Sequence, residues 1–207
     1  MNKITKTKTL GITLIETMVG VFIFTLLAAG VFNFIIQNYQ TYKISLEQSL
    51  AIEEGRDAMQ SMVKEIREAK SSDAGHYPIA EADDNSFTFF GDIDRDIAVE
   101  KVRYFRDGNY FKKGVIEPSG NPAIYDDLNE EIEVITEYLI TTSTPIFIYY
   151  NGDYPFDEIN NSLTTPADVT NVKLIQAHLI INVNPEKAPL DYILDTFIQP
   201  RNLKDNL

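Results

Sequence analysis

The stretch from residue 11 to residue 36, G-I-T-L-I-E-T-M-V-G-V-F-I-F-T-L-L-A-A-G-V-F-N-F-I-I, decides the fold of this chain. Glu16 is its one ionisable side chain. A helix over residues 12–36 would be about 37 Å long at roughly 1.5 Å per residue, enough to cross a hydrocarbon core of about 30 Å. The pattern therefore predicts a transmembrane helix over residues 12–36.

The residues that flank this span predict its orientation. Lys3, Lys6 and Lys8 precede it without any acidic residue, whereas the chain beyond it is acidic. Because lysines next to a span favour the cytoplasmic side, we expect the N-terminus in the cytoplasm and the C-terminal part outside.

Composition excludes several functions. The chain has 207 residues, a net charge of −13 and no cysteine. Removal of the first eleven residues, with three lysines and no acid, makes the charge −16. Electrostatic binding to nucleic acid is disfavoured at this balance, and disulfides and thiolate metal sites are excluded. The part beyond the span suits a single domain.

The N-terminal motif resembles that of a known family. A basic leader ending in Gly11 and followed by I-T-L-I-E at the head of an apolar helix resembles the class III signal of type IV pilins and type II secretion pseudopilins. The resemblance implies that a prepilin peptidase removes residues 1–11 as a leader, cutting between Gly11 and Ile12, and methylates Ile12. The residues that it assigns to subunit assembly are Thr13, Leu14, Ile15 and Glu16.

The same resemblance implies a location and partners. It implies a single-pass protein of the bacterial inner membrane that enters a filament or secretion complex with other pilin-like subunits and an inner-membrane assembly platform. Ile12 stands where the family usually has Phe, and Asn33 stands where many pilins have a helix-breaking proline. We therefore expect no local melting of the helix at Asn33.

The chemistry of Glu16 gives a separate reason for an assembly role. A charged side chain at the centre of a spanning helix costs about 2.5–3.5 kcal/mol on insertion scales. Cleavage would create an α-amine on Ile12, and the amine of a neighbouring subunit could pair with the Glu16 carboxylate. The competing interpretation is a glutamate near the helix end that reaches the lipid headgroups.

Two other interpretations of the apolar segment stay open. A secretory signal peptide could end at Ala28-Ala29-Gly30, although the apolar run continues from Val31 to Ile36. An uncut signal anchor would instead hold an extracellular binding module permanently at the membrane.

Beyond the span, the sequence predicts an amphipathic continuation of the helix over residues 37–75. Asp73 and Gly75 are typical of a helix stop, and Gly55 is the expected weak point within it. Its apolar residues recur at intervals typical of a core-facing helix. They are Leu46, Leu50, Met59, Met62, Val63, Ile66 and Ala69.

Residues 76–207 are predicted to form an extracytoplasmic, β-rich globular domain. Asp107-Gly108-Asn109 is a hairpin turn signal between two strands. The expected fold is α+β, with a long N-terminal helix packed on an antiparallel sheet, as in pilins. The predicted strands are 87–90, 101–106, 110–115, 132–135, 146–150, 173–183 and 192–198.

The later sequence extends the resemblance toward a low-copy subunit. Four short segments are similar to those of J-type minor pseudopilins and related minor pilins, which implies a place at a filament tip or in an initiating complex. They are K-E-I-R-E-A-K at 64–70, F-I-Y-Y-N-G at 147–152, V-K-L-I-Q-A-H-L at 172–179 and P-R-N-L at 200–203.

The sequence predicts neither an enzyme nor a resident cofactor. His76 and His178 are the two histidines, and no nucleophile elbow or phosphate-binding loop occurs. Two acidic clusters resemble oxygen-rich cation loops, but a solvated loop is favoured for both and no metal site is predicted. The clusters are Asp92, Asp94 and Asp96, followed by Ile97 and Ala98, and Asn151, Asp153, Asp157 and Glu158.

Overall fold

The computed structural model describes residues 11–96, 98–140, 143–156, 161–185 and 191–203. The chain divides into two compact units, Met1–Ser45 and Leu46–Leu207. A single α-helix, α1, runs from Leu14 to Arg67 and belongs to both units. It continues through Asn33, as expected for a chain without proline in this segment, and it ends at Arg67, before the predicted stop at Asp73 and Gly75.

Within the first unit, α1 presents its apolar side chains to the surroundings on every side. The described residues from Gly11 to Lys43 are exposed, and large apolar residues such as Leu14 keep up to 78% of their surface accessible. A helix that is apolar all round belongs in a membrane or a protein core.

Within the second unit, α1 is amphipathic and one face of it is buried. Gly55, Met59 and Met62 lie on this face, together with Ile66 near the helix end. Gln48 binds the end of a strand, since its Oε1 accepts a hydrogen bond from the Val183 backbone N at 2.9 Å.

Eight strands in two antiparallel sheets complete the second unit. The first sheet has the order β1-β2-β3-β4-β5 and the second the order β6-β7-β8. The strands are β1 Ile79–Ala82, β2 Ser86–Gly91, β3 Glu100–Asp107, β4 Tyr110–Ile116, β5 Glu131–Thr136, β6 Phe147–Tyr150, β7 Leu174–Ile181 and β8 Tyr192–Ile198.

One core joins the helix and both sheets of this unit. Met62 of α1, Phe87 of β2 and Phe147 of β6 are fully buried in the same cluster. The Phe87 ring lies 5.7 Å from that of Phe147 and 5.9 Å from that of Tyr149. The predicted α+β fold is therefore confirmed, with the strands in two sheets.

A polar contact also attaches α1 to the first sheet. Glu65 accepts hydrogen bonds from the Tyr104 hydroxyl and from the Lys113 Nζ, both at 2.8 Å. Burial and the nearby Glu65 carboxylate raise the pKa of Tyr104, so the phenol keeps its proton and remains the donor.

Gly55 is a close-packing position. A Cβ at residue 55 would lie 2.0 Å from Ile181 Cδ1 and 3.2 Å from Leu194 Cδ1. The helix therefore approaches the second sheet at a point where a larger residue does not fit, and it runs through Gly55 without interruption.

We expect Gly55→Leu to lower the free energy of unfolding by about 1–3 kcal/mol, because the added side chain overpacks the contact with Ile181. Gly30→Leu is a matched control in the same helix, since nothing lies within 4 Å of a Cβ there. Urea unfolding of the full chain in detergent micelles, followed by far-UV circular dichroism, measures the difference. Equal midpoints for the two variants would contradict this packing role.

Candidate functional site

The residues of the leader motif lie at the N-terminal end of α1. Gly11, Ile12 and Thr13 precede the helix, and its first turn begins at Leu14. All of them are exposed, with 72% of the Ile12 surface accessible. The Gly11–Ile12 peptide bond therefore lies outside regular secondary structure and is accessible to an enzyme.

Thr13 and Glu16 form the start of the helix. The Glu16 backbone N donates a hydrogen bond to Thr13 Oγ1 at 3.3 Å, and the Thr17 N donates to the Thr13 carbonyl oxygen at 3.1 Å. Thr13 is thus the N-cap, and Glu16 occupies the third helical position. This cap was not among the predictions from sequence, although T-x-x-E before an apolar run is the signature of a capping box.

Glu16 also lies where an anion is electrostatically favoured. It is the acidic residue of the first turn, beside the backbone N–H groups that give a helix N-terminus its partial positive charge. An α-amine supplied by another molecule could approach the same exposed carboxylate. The first turn of α1 therefore stabilises one carboxylate on an otherwise apolar surface, where a cationic group of another molecule can reach it.

The rest of α1 in the first unit has an exposed apolar surface. α1 is a helix long and apolar enough to span a bilayer, and its most apolar window has no buried residue. An apolar surface this long and continuous is larger than soluble monomers normally expose. The candidate transmembrane helix is thus present, with Glu16 two residues after its first residue, Leu14.

A group of three acidic side chains lies where the chain passes from β2 to β3. One oxygen from each of Asp92, Asp94 and Glu100 lies within 4.8 Å of the others. Antiparallel pairing of Gly91 with Glu100 closes the connection and brings the group together. Asp96 is not part of the group, and its Oδ1 accepts a hydrogen bond from the Ala98 N at 2.9 Å.

Glu100 is the unusual member, because it has no exposed surface. Its Oε2 accepts a hydrogen bond from the Ile93 backbone N at 2.8 Å, whereas its Oε1 is buried and has no hydrogen-bond partner among the described residues. Burial, together with the charges of Glu117 and Asp94, raises the pKa of Glu100 to about 6.

This carboxyl should make the stability of the domain depend on pH in metal-free buffer. The pKa of Glu100 is about 6 in the folded state against an ordinary 4.5, so the folded state binds more protons between these values. The free energy of unfolding therefore falls as the pH rises through this window. The full loss, reached above about pH 6.5, is roughly 2 kcal/mol.

Glu100→Gln removes this titration and isolates its effect. The unfolding free energy of the variant should exceed that of the natural chain by an amount that grows between about pH 4.5 and pH 6.5. Urea unfolding curves at several pH values measure this difference. A difference in unfolding free energy between the two chains that stays constant from about pH 4.5 to pH 6.5 would contradict the titration of Glu100.

The two histidines occupy structural positions. The His76 ring stacks on Phe90 with centroids 5.7 Å apart, and its Nδ1 lies 3.1 Å from Ser72 Oγ. His178 is in β7, as predicted, with its Nδ1 3.9 Å from an Asp195 oxygen on β8.

The second acidic cluster noted in the sequence is described only in part. Asn151 Oδ1 accepts a hydrogen bond from the Asp153 N at 3.0 Å. Asp157 and Glu158 lie outside the described residues.

Two comparisons with known proteins found no match. No protein-family model and no curated protein sequence matches this chain. The N-terminal turn with its exposed apolar helix, and the acidic group between β2 and β3, are the two features from which function is inferred.

Proposed function

We propose that this chain is a minor pilin or pseudopilin subunit. A prepilin peptidase cuts it between Gly11 and Ile12 and methylates Ile12, and it is then assembled into a type IV pilus-like or type II secretion filament, at the tip or in the initiating complex. The observation that carries the proposal is α1 itself. Its exposed apolar part begins with one capped acidic turn, and its amphipathic part is built into the core of the second unit.

Each partner in this proposed function binds a particular part of the N-terminal segment. Other pilin-like subunits contact the apolar part of α1, and the α-amine of a neighbouring subunit pairs with Glu16. The prepilin peptidase recognises Gly11 and the turn beyond it, and an inner-membrane platform inserts the subunit. The N-terminus faces the cytoplasm before assembly, and the β-rich domain lies outside.

A second function uses the same helix as a permanent anchor. An uncut chain would hold the β-rich domain at the membrane as a binding module, and the exposed apolar helix supports this as well. Co-expression with a prepilin peptidase, in a host that lacks one, separates the two functions. A peptidase-dependent shortening of the membrane-bound chain supports the subunit, and an unchanged chain supports the anchored module.

A further inference from the structure

We propose that Asp92, Asp94 and Glu100 form a binding site for a divalent cation, with Ca²⁺ the preferred ion. This inference is independent of the proposed filament function. Three carboxylates from one β2–β3 connection converge within 4.8 Å. Oxygen ligands of this kind suit hard divalent cations, and nitrogen or sulfur ligands are not in the group.

The unpartnered oxygens are the observation that separates this group from an ordinary acidic loop. Glu100 has no exposed surface, and within the part of the chain that the structure describes its Oε1 has no hydrogen-bond partner. Asp92 Oδ1 is also inaccessible to solvent and has no partner among the same residues. Buried polar oxygens are almost always satisfied, because an unsatisfied one loses its solvation without compensation. A bound cation would satisfy both oxygens.

The charge of the group agrees with a divalent ion. Lys70 Nζ lies 3.3 Å from Asp92 Oδ2, and the other oxygen of that carboxylate has no hydrogen-bond partner among the described residues. Three carboxylates against one ammonium leave an excess of two negative charges.

The kind of ligand favours Ca²⁺ over Mg²⁺. Ca²⁺ binds carboxylate oxygens of the protein at about 2.3–2.6 Å in flexible geometry, and oxygens within 4.8 Å of one another can surround it. Mg²⁺ needs near-ideal octahedral geometry and keeps several waters, so a group of three protein carboxylates suits it less well. Asp94 is exposed and can close over an ion that Asp92 and Glu100 hold from the buried side.

The test is a titration of the full chain, purified in detergent micelles and stripped of metal with a chelator. We expect saturable Ca²⁺ binding at pH 7.5 with a dissociation constant of about 10⁻⁵–10⁻³ M by calorimetry, and binding of Mg²⁺ at least about tenfold weaker. Saturating Ca²⁺ should also raise the midpoint of thermal unfolding.

Two matched variants assign the binding to this group. Asp94→Asn keeps an oxygen for the hydrogen bond from the Asp96 N, 3.1 Å long, and should weaken Ca²⁺ binding at least about tenfold. Asp96→Asn makes the same charge change in the same connection outside the group, and should bind Ca²⁺ within about twofold of the natural chain.

Three results would overturn the site: no saturable Ca²⁺ binding, equal binding by Asp94→Asn and the natural chain, or equal weakening by Asp96→Asn. If no saturable Ca²⁺ binding is found, a proton shared between the Asp92 and Glu100 carboxyls would explain their unpartnered oxygens. Glu100→Gln, which is expected to fold because it removes the titration of a buried carboxyl, should lose the Ca²⁺-dependent rise in the unfolding midpoint. Because Asp94 is exposed, its variant tests the site without a change in the buried core.

Discussion

Replacement of Glu16 by alanine should reduce incorporation of the chain into filaments or initiating complexes at least about tenfold, equivalent to roughly 1.4 kcal/mol per subunit contact. The same change should leave membrane insertion unchanged or improved. A carboxylate at the centre of a span costs about 2.5–3.5 kcal/mol on insertion scales, and alanine removes the smaller cost that Glu16 carries near the helix end. A rise in insertion together with a loss of assembly would identify Glu16 as a contact between subunits.

The structure provides the control that separates assembly from helix capping. Thr13 caps α1, and the third helical position of a capping box accepts Glu or Gln equally. Glu16→Gln therefore keeps the capping chemistry and removes the charge, whereas Glu16→Asp keeps the charge. We expect Glu16→Gln to fail in assembly like alanine and Glu16→Asp to retain part of it. Full assembly of Glu16→Gln would show that the residue acts through the cap alone. Filament fractions quantified against membrane-bound chain measure all three variants.

Replacement of Gly11 by valine should block processing and leave the chain eleven residues longer. No atom of the described residues lies within 4 Å of a Cβ at residue 11, and Gly11 is exposed. The folded chain therefore tolerates a side chain there, and a loss of cleavage would report recognition by the peptidase. Without cleavage, Ile12 has no free α-amine to pair with a neighbouring Glu16, so assembly should fail as well.

A second glycine of the same apolar segment is the control for this prediction. A Cβ at Gly20 would also have no neighbour within 4 Å, so Gly20→Val makes the same chemical change beyond the cleavage point. It should be processed normally, as judged by gel mobility of membrane fractions. Normal processing of Gly11→Val would contradict cleavage at this bond.

The hairpin between β3 and β4 shows how local sequence signals succeed. Asp107 pairs with Tyr110, and Gly108 and Asn109 form the two-residue turn between them. Gly108 has φ +61°, a conformation that glycine adopts at little cost. Both the turn and the strands were predictable because neighbouring residues determine them.

Strand β1 was missed because its pattern is broken. Ile79 and Ala82 are buried, but Ala80 and Glu81 between them are both exposed. A register shift between Ile79 and Glu81 removes the alternation that identifies a strand in a sequence. The division into two sheets was also missed, because alternation predicts which face is buried and gives no information on the pairing partner.

Glu100 was missed for a related reason. A glutamate at the first position of a strand resembles a solvated strand end, and nothing in its immediate sequence predicts burial. Its relation to Asp92 depends on the register that pairs Gly91 with Glu100. The third residue of the sequence pattern, Asp96, is instead outside the group. From the sequence, Asp92 and Asp94 were therefore noted in one loop but no metal site was predicted there, and it is the pairing between strands that brings Glu100 beside them.

The most direct test of the filament function is the N-terminus of the natural protein extracted from its membrane. Intact mass combined with N-terminal sequencing should show a chain that begins at Ile12 and carries one added methyl group. A chain that begins at Met1 would contradict the proposed function and support the anchored module. A chain that begins after Ala29 or Gly30 would contradict both, and would identify residues 1–30 as a secretory signal.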